Sequence, residues 1–415
     1  MQLTVFRKRI RMSLQRHTRT LLALCLCVTP ALAGVLPDDR ADVLYHRYQG
    51  GGITIQGPSV LIQKKVTDNL AVNYNFYQDY ITSASIDVKL SASQYKEERT
   101  QHSGSFQYLH GKSTYSAGII NSSEPDYKSN TTYYSISQDM FGDLTTVTMT
   151  YKRGWDKVFR DVKDPATGRL VNDPRFGNTG LAGPDIPFRD ADHRGYAVGA
   201  SQILTRNLIA SFNYEVLTDQ GYLASPYRKI RYLSPGAGKG FTLADQVYPN
   251  TRTSNAAAIE AKYYLWYRAA VTAQYRYFSD TWGIRGHTAE IGYTHPAWKS
   301  WIFDGTFRFY SQNAASFYSD LFPRANFQNF EARDRELAAF NSYTIGVGAS
   351  YDFPIPRNRW INRSSINVRL DHLLIDYKDF RNALLTGTAP GFTAGNEPLY
   401  KLNATIFQAF VSVWF

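Results

Sequence analysis

Residues 342–352 read SYTIGVGASYD. Tyr343, Ile345, Val347, Ala349 and Tyr351 form one set, and Ser342, Thr344, Gly346, Gly348, Ser350 and Asp352 the other. Successive side chains of a strand point to opposite faces, so this stretch is a strand with one oily and one wet side. The same period of two recurs elsewhere. In residues 268–277, Ala269, Val271, Ala273, Tyr275 and Tyr277 oppose Arg268, Thr272, Gln274 and Arg276. Trp301, Phe303, Phe307 and Phe309 oppose Asp304, Thr306 and Arg308; Leu208, Ala210, Phe212, Tyr214 and Val216 oppose Asn207, Ser211, Asn213 and Glu215.

Two environments produce such strands. In a soluble sandwich the oily face packs on a second sheet. In an outer-membrane barrel it faces lipid and the polar face lines a wet lumen. The end of the chain favours the barrel, because Phe407, Ala409, Val411, Val413 and the last residue, Phe415, share one register. A terminal aromatic closing an alternating strand resembles the tag by which Gram-negative outer-membrane proteins reach the barrel-assembly machinery.

Composition agrees. Of 415 residues 15% are aromatic and 20% charged, with a mean hydropathy of −0.37. Beyond the N-terminal segment the longest apolar run is residues 263–267, far short of the ~20 residues a membrane helix needs. The formal net charge of +11 invites a nucleic-acid partner until it is located. Arg7, Lys8, Arg9, Arg11, Arg16 and Arg19 precede an apolar run, residues 21–28, and then Ala31-Leu32-Ala33. That order predicts a secretory signal over residues 1–33, cleaved after Ala33, with Met12 as an alternative start. Removal takes six of the 46 basic groups, leaving 40 against 35 acidic ones, and no nucleic-acid partner is expected. Both cysteines, Cys25 and Cys27, go with it, which excludes disulfides, thiolate metal sites and cysteine nucleophiles from residues 34–415.

Turn formers divide that domain into short and long connections. Short ones fall at Thr67-Asp68-Asn69, His110-Gly111-Lys112, Phe141-Gly142-Asp143, Thr205-Arg206-Asn207, Trp266, Trp298-Lys299 and Pro354-Ile355-Pro356. Between them lie mostly longer ones, at residues 82–98, 123–128, 156–190, 219–252, 313–339 and 379–398, with brief ones at Gly50-Gly51-Gly52 and residues 282–286. Tight periplasmic turns alternating with extracellular loops predict a transmembrane antiparallel up-and-down β-barrel of about sixteen strands. At that size the lumen holds water. Residues 331–340 (EARDRELAAF) suit a short helix within a loop, with a surface cover favoured over an inward fold.

Residues 39–52 (DRADVLYHRYQGGG), 53–65 (ITIQGPSVLIQKK), 83–88 (SASIDV), 95–100 (YKEERT) and 138–156 (QDMFGDLTTVTMTYKRGWD) resemble the domain of unknown function 3570 family. Its members look like Gram-negative outer-membrane barrels. The resemblance implies the fold and supplies no reaction, ligand or catalytic residue.

Glu215, Glu260, Lys262, Arg268, Arg276, Glu290, Asp304, Arg308, Arg369 and Asp371 all oppose an apolar register. A lipid-facing charge costs ~2–4 kcal/mol near the midplane, so these are expected to line the lumen. There they either select solutes by charge or hold the barrel's shape as salt bridges. Arg228, Lys229 and Arg231 are loop candidates for lipopolysaccharide phosphates. The run Lys96-Glu97-Glu98-Arg99 reads as a solvated rim, and Asp185, Asp190 and Asp192 carry only a weak Ca²⁺ signal. His46, His102, His110, His193, His287, His295 and His372 show no metal-ligand spacing, so no metal or cofactor is expected. Tyrosines and tryptophans near strand ends read as interfacial girdles.

Three functions follow as expectations: a porin-like channel for small hydrophilic solutes; a barrel sleeve or anchor for an exported redox or surface complex; and, behind both because no motif selects a Ser/His or Asp/His pair, a membrane-embedded hydrolase. The chain is expected to be no enzyme, and its surroundings are outer-membrane lipid and lipopolysaccharide.

Overall fold

The computed structural model describes residues 35–415 apart from 84–94, 165–166, 168, 179–183, 354–359 and 389. The predicted signal, the turn at Pro354-Ile355-Pro356 and the side chains of Lys96 and Glu97 lie outside the described residues. The wall begins with β1 (Arg40–Gly50), β2 (Ile53–Thr67), β3 (Leu70–Ser83), β4 (Tyr95–His110), β5 (Ser113–Glu124), β6 (Tyr127–Met140) and β7 (Thr145–Phe159). A loop hairpin, β8 (Asp161–Lys163) with β9 (Leu170–Asn172), precedes β10 (Phe188–Thr205) and β11 (Leu208–Gly221). A second, β12 (Lys229–Leu233) with β13 (Phe241–Asp245), precedes β14 (Thr251–Tyr264), β15 (Ala270–Asp280), β16 (Arg285–Ala297) and β17 (Trp301–Gln312). The wall ends with β18 (Phe340–Phe353), β19 (Arg363–Arg381) and β20 (Leu399–Trp414).

Among the described residues, sixteen of these strands pair antiparallel into a closed barrel, and the two loop hairpins stand apart. Closure joins the ends of the chain, from Arg40 opposite Trp414 to Gly50 opposite Ala404. Every wall strand thus has two neighbours and no backbone edge meets lipid. Helical backbone among the described residues is confined to one-turn segments at Arg335–Leu337 and Ala383–Leu385.

Alternation sets the two surfaces. Val43, Ile119, Met149, Ile259, Ile291 and Ile345, from six strands, stand exposed on the convex side. Trp266, Trp298 and Trp360 mark the short-turn rim, where an amphipathic ring suits the headgroup level. Phe415 continues the outward register of β20 at that rim, its ring 5.1 Å from the Lys64 ammonium. At the other rim, β1 turns into β2 through Gly51 at φ 60° and Gly52 at φ 80°, the left-handed pair that a two-residue hairpin requires.

Candidate functional site

Nine of the ten lumen candidates lie on the inner register of their strands, opposite the exposed apolar set. Arg268 does not. It occupies the turn between β14 and β15 at φ 69°, its N–H donating to the Leu265 carbonyl, and β15 starts only at Ala270. The alternation of residues 268–277 runs two positions past the real strand end because the turn happens to continue the polar–apolar pattern.

Most of the nine stand in local groups of opposite charge. Arg369 on β19 donates from Nη1 to Asp304 Oδ2 at 2.6 Å and from Nη2 to Asp371 Oδ1 at 2.7 Å and Thr306 Oγ1 at 2.6 Å. Asp304 and Thr306 belong to β17, so this contact passes over β18. The crossing is possible because β18 places Gly346 and Gly348 there. A Cβ on Gly346 would overlap Asp371 Oδ1 and Arg369 Nη2, and one on Gly348 would overlap Asp304 Oδ1. The glycines of SYTIGVGASYD are the floor of an ion-pair bridge. On β14, small residues again face the neighbouring charges: Ala256 lies opposite Glu215, and Ala258 lies opposite Arg276. Arg308 bonds Glu290 on the adjacent strand, and Lys262 Nζ sits 3.1 Å from Glu260 Oε1. Between these groups the inner wall carries mostly Ser, Thr, Asn, Gln and Gly, and inward residues Lys152, Asn213 and Thr294 remain exposed.

Toward the long-loop rim the inner face carries a second polar arc that sequence reading missed. His46 Nε2 is 2.8 Å from Asp79 Oδ1 and 3.0 Å from the Tyr77 hydroxyl, and Arg99 Nε donates to Ser122 Oγ at 2.6 Å. Further round, His193 meets Asp156 through Nε2 at 2.8 Å and Asp219 through Nδ1 at 2.5 Å. With a carboxylate at each ring nitrogen, His193 clamps three strands together. Asp156 and Asp219 fall at the edges of stretches that read as loops, and the partners of His46, Tyr77 and Arg99 lie on other strands, where no local period relates them. His372, by contrast, falls on the outward register, as its apolar neighbours predict.

The outer mouth is covered from inside. Residues 331–340, expected as a surface cover, belong to a loop, 313–339, that folds inward: Ala332, Arg335, Leu337 and Ala338 are fully buried. Leu337 and Phe317 pack with Ala256 and Phe278 of the inner wall, while Ala338 packs with Tyr48, Leu373 and Tyr377. Gln312 of β17 donates to the carbonyls of Glu336 at 3.0 Å and Ala338 at 2.8 Å. The reason is composition: this loop carries Phe317, Phe322 and Leu337, apolar area that is stable only when enclosed.

Buried charges tie this loop to two others. Arg231 of β12 bonds both oxygens of Glu397 and reaches Asp320, donating from Nε to the Asp320 carbonyl at 2.9 Å. Arg333 Nη2 is 2.8 Å from Asp320 Oδ1, and Arg228 Nη1 is 2.9 Å from Asp334 Oδ2. Burial by itself pushes the Glu397 carboxyl up, but hydrogen bonds from Arg231 and Thr386 outweigh it and hold the pKa at about 2. Burial likewise opposes ionisation of Asp334, and Arg228, Tyr248 and Gln246 overcome it, so its pKa is lowered. Arg228 and Arg231 are therefore not presented to lipopolysaccharide, because enclosed carboxylates already hold them. Lys229 is at the surface beside Asp245. Asp185 pairs with Arg175, and among the described residues no group of three His, Cys, Asp or Glu could hold a metal ion.

A closed antiparallel barrel with an apolar belt outside, a wet polar wall inside, tight turns at one rim and long loops at the other is an outer-membrane β-barrel. The family model described as Protein of unknown function (DUF3570) matches residues 89–383, more than half of the chain, and the chain belongs to that family. Of the stretches that carry the resemblance, residues 95–100 and 138–156 fall inside the match. No curated protein matches the chain. Among solved structures it is similar to a bacterial polysaccharide outer membrane secretin, at 7% identity and a TM-score of 0.46, covering 92% of this chain and 100% of that one. A FadL homologue of Pseudomonas aeruginosa aligns at 11% identity and a TM-score of 0.40, covering 92% and 91%. OmpT, an outer membrane protein of Vibrio cholerae, aligns at 9% identity and a TM-score of 0.39, covering 92% and 100%.

Proposed function

We propose that the barrel is a passive channel for small hydrophilic solutes, narrowed at its outer mouth by its own loops. The observation that supports this best is the inner wall below the cap. It is lined by short hydroxyl and amide side chains, and inward-facing Lys152, Asn213 and Thr294 are still exposed, so the wall borders water. Selection by size fits better than selection by charge. Of the nine lumen candidates, five are acidic and four basic, and Arg369, Arg308 and Lys262 each have a carboxylate at contact distance. Paired charges cancel at short range, leaving little transverse field. A sleeve for an exported partner is a weaker reading, since loops of the same chain occupy the outer mouth. So is a hydrolase, since both nitrogens of His193 are engaged by carboxylates.

The expected result is weak ion selectivity. In a salt gradient across a planar bilayer, the reversal potential should lie near zero, and neutral sugars of monosaccharide size should swell protein-loaded liposomes. A reversal potential close to the Nernst limit for either ion would overturn size selection.

A further inference from the structure

The outer wall at the long-loop end carries basic charge on one sector, β6, β7 and β10. The outward rows there are ordered by height. Ile136, Met149 and Val198 form an apolar row; Tyr134, Tyr151 and Tyr196 lie one step above it. The Tyr151 and Tyr196 rings are 5.3 Å apart. The next step is Thr132, Arg153 and Arg194, with Arg153 directly opposite Arg194. Trp155 and then Lys128 and Lys157 follow toward the loops. Two steps along a strand cover roughly 14 Å, less when tilted, so the arginine row stands at headgroup height above the apolar row.

Like charges directly opposite on neighbouring strands repel. Among the described residues neither Arg153 nor Arg194 makes an ion pair or a side-chain hydrogen bond, and both are exposed. Lys157 Nζ lies 3.9 Å from the Phe188 ring centre and Lys128 Nζ 5.6 Å from that of Phe159, which fixes both ammoniums above the pair. The acidic groups facing the same sector are Asp190, opposite Lys157, and Asp192, opposite Trp155. Neither is opposite an arginine. Two guanidiniums a strand spacing apart, over a tyrosine row and under two lysines, match a phosphate held at the membrane surface, because each guanidinium offers a planar fork of donors.

We propose that Arg153 and Arg194 clamp a phosphate of lipopolysaccharide in the outer leaflet, with Lys128 and Lys157 supporting it. The site rests on the outer-membrane placement and is independent of the channel reading. It replaces the loop arginines Arg228 and Arg231, which the cap consumes.

The test uses the full barrel refolded in detergent and incubated with lipopolysaccharide, dephosphorylated lipopolysaccharide, phosphatidylglycerol or inorganic phosphate, with retained lipid read by native mass spectrometry. The intact protein should retain lipopolysaccharide, and Arg153→Gln with Arg194→Gln should lose roughly tenfold or more of that retention. Arg47→Gln, outward on β1, should leave it unchanged, and heat-modifiable gel mobility reports that each variant is folded. Equal retention by the double variant overturns the proposal, as does equal retention of the dephosphorylated lipid. Displacement by millimolar inorganic phosphate, or preference for phosphatidylglycerol, overturns the assignment to lipopolysaccharide.

Discussion

Replacing Arg231 with leucine should open the outer mouth and raise single-channel conductance several-fold. Arg231 is fully buried and is the point where three loops meet, bonding Glu397 from residues 382–398 and Asp320 from residues 313–339. Leucine leaves two enclosed carboxylates facing each other. Removing one partner of a buried ion pair costs about 3–5 kcal/mol. The loss falls on the cap, because the sixteen wall strands are paired without it. The barrel should therefore keep its heat-modifiable mobility while the loops become susceptible to limited proteolysis. Unchanged conductance in a folded Arg231→Leu barrel would show that the cap does not control the pore.

The same network sets a pH response. Glu397 has its pKa depressed from 4.5 to about 2, so its contribution is fully present above the unfolded value and is lost as pH falls through the folded one. The cap should hold at neutral pH and loosen only between about pH 4.5 and 2. Loosening on raising the pH from 5 to 8 would contradict this sign.

The second large effect is expected at Gly346. A valine there drives its side chain into Asp371, Arg369 and Thr306, where even a Cβ overlaps. The arginine must leave the bridge between β17 and β19, stranding Asp304 and Asp371 on the inner wall. Crowding costs about 1–3 kcal/mol, and the broken pair, part-exposed on the inner wall, adds to this by less than a fully buried pair would. Gly346→Val should lower the temperature at which the barrel loses its compact gel mobility by many degrees. Gly305→Ala is the matched control, since a Cβ there meets nothing nearer than the Gly346 carbonyl oxygen at 4.0 Å. Similar losses at both positions would mean that strand glycine, not the ion-pair bridge, is what matters.

The wall was legible because its information is local. Alternation along residues 342–352 names each inward position, and the turn residues give the strand number. The ion-pair bridge is half-legible: Gly346 and Gly348 appear in the sequence as small residues on the wet face, but their partners lie one strand away on each side. The cap was not legible. Arg231 and Glu397 are 166 positions apart, and no period relates them. Both lie in loops rich in Pro and Gly that resemble surface covers, and a loop arginine reads as a solvent-facing charge until its carboxylate is found. Arg268 is the opposite case, since the turn before β15 continues the alternation of the strand and is indistinguishable from it by period alone. The outward arginines at 153 and 194 lay within a quoted stretch and a strand end, yet only the register of β7 with β10 puts them face to face.

Single-channel recording from the refolded protein in planar bilayers tests the central claim most directly. A water-filled lumen narrowed by loops predicts discrete, stable current steps from the intact barrel, and larger ones from Arg231→Leu. A folded, heat-modifiable barrel that stays silent in both forms would contradict the channel.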